Sequence, residues 1–112
     1  MREFISEADV ERALSYLRDN ADAAAKARAE RIYVEEFRKV IKAQIMKEVA
    51  FESIPISAQE REAYADDRYI AHLDALREAV YQDEKHRFLL EAAKAKIDAW
   101  RTQCATERAM KL

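Results

Sequence analysis

The sequence predicts an all-α fold: an elongated, coiled-coil-like helical hairpin, with a short N-terminal helix and two long helices joined by a Pro-containing loop. Three observations predict it. The 112 residues contain no Gly and a single Pro, so breakers are almost absent. Ala, Glu, Lys, Arg and Leu dominate, which is the composition of long helices and coiled coils. From Asp67 to Met110 nothing interrupts the chain, and Ile70, Leu73, Leu76 and Val80 recur at helical spacing. Charged residues make up 38% of the chain and large apolar ones are sparse, so a hairpin this small leaves one side of its stripe open. A homo-oligomer is therefore expected.

One domain is expected over 1–112, with helices at about 6–18, 21–51, 58–65 and 67–110 and a loop at 52–57. Ser6 and Asp9 sit three apart, as a capping residue and its reciprocal carboxylate do. Ile5 and Val10 flank them as a hydrophobic staple, and Val10, Ala13, Leu14 and Leu17 follow as an amphipathic stripe. Asp19 and Asn20 break that stripe, and Asn20 or Asp22 can cap a second helix. That helix opens on alanines (Ala21, Ala23, Ala24, Ala25, Ala27, Ala29) and continues with Tyr33, Val34, Phe37, Val40, Ile41, Ile45 and Val49.

Pro55 forbids helix and pushes Ile54 to an extended conformation. Ser57 and Glu60 then form a second capping box. Asp66 or Asp67 caps the last helix, unless the two final helices are continuous. Within the last helix Arg87, Lys94, Arg101 and Arg108 recur every seven residues. Such a row cannot lie in a dry core, because unpaired buried cations are too costly. Either the row faces solvent and the apolar stripe drifts to Phe88, Ala92, Ala95 and Ala99, or it faces an anion.

Charge is blocked along the chain: net −3 over 1–24, +3 over 25–50, −6 over 51–84 and +4 over 85–112. Such blocks suit antiparallel packing or contacts between copies. Catalysis finds no support. Ser6, Ser53 and Ser57 lie at or near helix starts, where capping explains them; Ser15 is the fourth serine. His72 and His86 are fourteen residues apart, about 21 Å along one helix, too far to share a metal within one subunit. There is no glycine-rich phosphate loop and no zinc motif, and no cofactor is expected. Cys104 is the only cysteine, which excludes an intrachain disulfide and fits a reducing cytoplasm. Met1-Arg2-Glu3-Phe4-Ile5 leads straight into charged residues, so no signal peptide is expected, and no apolar run suits a membrane.

The cations divide by their neighbours. Asp83, Glu91 and Asp98 are spaced to pair with Arg87, Lys94 and Arg101, and Glu35 and Glu36 serve Arg38 and Lys39. Lys42 and Arg108 have no acid three or four residues away. Trp100 stands beside Arg101, a combination that stacks bases and holds phosphates, or else anchors a subunit interface. The candidate oligomer-contact residues are Tyr69, Leu73, Leu76, Val80, Phe88 and Trp100.

Three stretches carry a resemblance: Ala27-Arg28-Ala29-Glu30-Arg31-Ile32-Tyr33, then Phe37-Arg38-Lys39-Val40-Ile41-Lys42-Ala43-Gln44-Ile45, and Trp100 through Met110. In layout, residues 20 to 112 resemble small all-helical phage proteins of the UvsY-like recombination mediator group, and the likeness is most specific at Arg38 to Ile45 and in the last helix. The resemblance implies a non-enzymatic, ring-forming protein that binds single-stranded DNA and helps load a RecA-like recombinase onto strands coated by single-strand-binding protein, in the host cytoplasm. The family's basic residues before the central loop fall on Lys39 and Lys42. Arg38, Lys39, Lys42, Arg101 and Arg108 are then the expected phosphate contacts. The alternative is a phage-encoded inhibitor or assembly adaptor that contacts protein through its acidic 51–84 block and binds no nucleic acid.

Overall fold

The computed structural model describes residues 5–111, so the Met1–Phe4 start, on which the expectation of no signal peptide rests, lies outside the described residues. The described residues are all-α: α1 (Glu7–Val49), a 3-10 turn (Ala50–Glu52), α2 (Ile56–Ala65) and α3 (Asp67–Lys111). They divide into two compact units, one of residues 5–25 with 84–111 and the other Lys26–Asp83.

The start of α1 follows from Ser6 and Asp9. The Asp9 amide donates to the Ser6 hydroxyl at 3.1 Å, and the Ser6 amide donates to the Asp9 carboxylate at 2.9 Å. Two amides that a helix start leaves open are thereby satisfied. The Ser6 amide is the main reason the Asp9 carboxyl lies below its ordinary value, with the Ser6 hydroxyl and the neighbouring Arg12 adding to it.

The break expected at Asp19-Asn20 does not occur, and α1 runs through it. Asn20 donates its side-chain amide to the Tyr16 carbonyl at 3.0 Å, four residues back, so it braces the helix it was expected to cap. Asp19 takes Arg18 at 3.0 Å. Neither residue stops a helix without a Gly or Pro beside it, and the alanines that follow are the best helix formers.

At the far end, Ser53 adopts φ 57° and donates its amide to the Ala50 carbonyl at 3.2 Å. This left-handed closing position favours Gly, which the chain lacks. Helix α2 starts earlier than the predicted Ser57 cap. Pro55, at φ −59° and ψ 154°, is the flanking residue, and its carbonyl takes the Gln59 amide at 3.0 Å. Gln59, not Glu60, reaches back, donating its side-chain amide to the Ile54 carbonyl at 3.1 Å. Proline's fixed φ organises this start without a hydroxyl. Asp66 is extended at ψ 137° and separates α2 from α3, and its carboxylate accepts the Arg68 amide at 2.8 Å. The last two helices are therefore distinct.

In the Lys26–Asp83 unit, α1 and α3 run antiparallel: Arg31 meets Asp83, Val34 meets His72, and Glu48 meets Arg68. The core is Ile45, Ala63 and Tyr69, with Ile41 and Met46 packed against it. Tyr64 adds an edge-to-face contact with Tyr69 at 5.2 Å. In the other unit the buried residues are Val10, Ala13 and Ala93. There Gln103 of α3 holds the entry to α1 at both backbone groups of Ile5, accepting its amide at 3.3 Å and donating to its carbonyl at 2.8 Å.

Burial on α3 recurs at alternating steps of three and four. In one unit the inward residues are Tyr69, His72, Leu76, Ala79 and Asp83; in the other they are His86, Leu90, Ala93, Ile97, Trp100 and Cys104. This is a heptad pattern. The stripe does not drift to Phe88, Ala92, Ala95 and Ala99, all of which are exposed.

Ile45 is 2% exposed at the centre of its cluster. Ile45→Ala should lower the unfolding free energy by about 2–5 kcal/mol in urea denaturation followed by circular dichroism. A loss below about 1 kcal/mol would mean that this cluster does not hold the unit together.

Candidate nucleic-acid interface

The heptad pattern decides where the basic row points. Arg87, Lys94 and Arg101 each follow an inward residue (His86, Ala93, Trp100) by one position, and one residue turns a helix by about 100°. All four cations of the row are exposed. Arg87 is held by Glu84 at 2.7 Å and Glu91 at 3.1 Å, and Glu84 is the main reason its proton is held more tightly than usual. The pair predicted between Asp83 and Arg87 does not form, because Asp83 faces inward and takes Arg31 at 3.2 Å. Glu91 is committed to Arg87, which leaves Lys94 without an ion-pair partner among the described residues. Arg101 touches Asp98 at 3.6 Å, as its spacing predicts. Arg108 is exposed and has no ion-pair partner among the described residues.

Trp100, Arg101, Cys104 and Arg108 line one open depression of about 670 Å³, with Asp98, Thr102 and Ala105 completing its wall. An i, i+1, i+4, i+8 set on a helix spans two turns of one side. The lining of this depression thus includes a half-buried indole and two guanidinium groups.

The α1 candidates behave differently. Arg38 is exposed and unpaired among the described residues. Lys39 pairs with Glu36 at 3.2 Å. Lys42, which has no acid three or four residues away on its own helix, finds partners on α2 instead. It donates to the Tyr64 hydroxyl at 2.9 Å, lies 4.8 Å from that ring's centre and stands 3.9 Å from Glu60. The Tyr64 hydroxyl is the main reason its ammonium is held above the ordinary lysine value. Lys42 thus fastens α2 to α1, a contact no local spacing reveals.

The predicted oligomer contacts also separate. Tyr69 is buried in the chain's own core, and Leu76, Val80 and Trp100 are partly covered within it; Leu73 and Phe88 remain exposed. Sequence reasoning missed Arg68. Its guanidinium grips both Glu48 oxygens, at 3.0 and 2.6 Å, and also takes Asp66 at 3.0 Å. This ties the end of α1 to the start of α3. Such exposed pairs add little stability but fix geometry.

Among the described residues no group of three or more His, Cys, Asp or Glu side chains could hold a metal ion. No helix among them is long and apolar enough to cross a membrane. Comparison with known proteins finds no matching family model, no matching curated protein and no matching solved structure.

Arg68 holds the carboxyls of Glu48 and Asp66 below their ordinary values of 4.5 and 3.8. The stability this contributes is complete above those ordinary values and is lost as pH falls through the lowered ones. Arg68→Gln should therefore melt below wild type at about pH 7, and the gap should narrow as the pH falls below the ordinary 3.8 of an aspartate and through the lowered values. A gap that stays constant or widens in acid, followed by circular dichroism, would contradict this linkage.

Proposed function

We propose that this chain is a non-enzymatic, oligomeric protein that binds single-stranded DNA and acts as a recombination mediator, helping to load a RecA-like recombinase onto strands coated by single-strand-binding protein. The observation that supports this reading best is the depression at Trp100, Arg101 and Arg108. An aromatic plane beside guanidinium groups suits a base stacked over its own phosphates, with no preference for sequence. Lys94 extends the same basic row one heptad toward the start of α3, about 10 Å away from Arg101. Among the α1 candidates, Arg38 is the one left without an ion-pair partner among the described residues, since Lys39 and Lys42 have partners. The net charge of −2 leaves the field local to these segments, and several copies would sum it.

A second reading is a protein-interaction module without nucleic acid. It is favoured by Phe51, 86% exposed, and by exposed Ile56, which lie in the acidic 51–84 block near Glu52 and Glu60.

Fluorescence anisotropy of a labelled single-stranded oligonucleotide across a salt series separates the two. The mediator reading expects affinity to fall steeply with salt. Arg101→Ala with Arg108→Ala should weaken binding and flatten the log–log salt slope by about 1.4, or about 0.7 per lost phosphate contact. Lys42→Ala should change the slope far less. No binding at low salt by a verified oligomer would leave the interaction-module reading.

A further inference from the structure

Helix α1 carries a second apolar stripe that its own chain leaves uncovered. Tyr33, Phe37 and Val40 follow one another at i, i+4 and i+7, spacing that keeps them on one side of the helix. Tyr33 is 59% and Val40 42% exposed. The stripe is ordered: Tyr33 and Phe37 stack with ring centres 5.7 Å apart, and Phe37 rests 5.9 Å from His72 of α3. His72 is itself held, donating from Nε2 to the Val34 carbonyl at 2.6 Å. Beyond His72, the exposed residues one turn apart on α3 are Ala71 and Ala75. A ridge of rings beside a strip of methyl groups is a shape into which another helix can settle closely.

Charge identifies that helix. The α1 segment of this unit, Lys26–Val49, holds seven basic and four acidic residues, and the α3 segment, Asp67–Asp83, holds two and four. Stacking α1 on α1 sets like charge against like, whereas stacking α1 on α3 sets opposite signs together. A two-fold axis parallel to the helices produces the second arrangement and keeps neighbours antiparallel, as in a four-helix bundle. The other exposed stripe, Ile70, Leu73 and Tyr81 on α3, is interrupted by Arg77, which pairs with Asp74.

We propose that a second copy of this chain covers the Tyr33–Phe37–Val40 face, each copy laying its basic α1 segment across Ala71 and Ala75 of the other copy's α3. This contact does not depend on nucleic-acid binding.

Sedimentation equilibrium tests it directly. Wild type should have twice the 13.0 kDa mass of one chain. Tyr33→Glu with Val40→Glu should return it to 13.0 kDa with its helical circular dichroism intact, while Ile70→Glu with Leu73→Glu should stay dimeric. A second measurement does not depend on how the glutamate variants fold. With Cys104→Ala throughout, chains carrying Tyr33→Cys are mixed with chains carrying Ala75→Cys and oxidised. The mixed disulfide should form ahead of the Tyr33→Cys homodimer. A monomeric wild type, dissociation by the α3 substitutions instead, or a dominant Tyr33→Cys homodimer would each overturn the proposal.

Discussion

The rest of the structure depends on the three-and-four spacing of inward residues on α3. A helix can bury a continuous line only if its residues return to the same side, and steps of three and four do so with a small, even drift. Once Tyr69, His72, Leu76, Ala79 and Asp83 define that line in one unit, and His86, Leu90, Ala93, Ile97 and Trp100 in the other, every other position follows. The cations one residue later are turned outward. The polar residues caught on the line need partners: Asp83, only 14% exposed, takes Arg31, and His72 takes the Val34 carbonyl. A charged pair of this kind contributes little net stability but penalises a shifted pairing, because slipping the register would take Asp83 away from Arg31, which itself keeps Glu35 at 3.0 Å on its own helix.

Much of this was legible in the residues. The Ser6–Asp9 cap, the absence of breakers in α3 and the solvent-facing alternative for the basic row were all readable, since capping and periodicity act over three or four residues. What could not be read falls into two kinds. Asn20 carries cap chemistry, yet with helix-forming alanines after it the same amide braces a turn. Pro55 displaced the expected Ser57 cap because a fixed φ needs no hydroxyl. Asp83 has Arg87 at the right local spacing but takes an arginine fifty-two residues away. Lys42 looked free because its partners, Tyr64 and Glu60, lie on another helix. The first two were decided locally, by one cap chemistry competing with another, and the last two by tertiary neighbours, which local spacing does not encode.

The same logic redistributes the candidate site. Lys42 fastens α2, Lys39 answers Glu36, and Arg87 is saturated by two acids. Of the candidate cations and the basic row, Arg38, Lys94 and Arg108 are exposed without an ion-pair partner among the described residues, and Arg101 has only the 3.6 Å contact with Asp98. Arg101 and Arg108 share a depression with the Trp100 ring. Among the described residues the buried side chains are few, with Ile45 and Tyr69 the bulkiest, while Tyr33, Val40, Leu73 and Phe51 meet solvent.

Trp100 is the chain's single tryptophan and lines that depression, so its fluorescence reports on the site without other tryptophans. Titrating the protein with an unlabelled single-stranded oligonucleotide should quench this emission to saturation at low salt, and added salt should restore it, as stacking held by phosphate contacts requires. Binding that leaves the emission unchanged, or emission indifferent to the oligonucleotide at any salt, would contradict the placement of the site on α3.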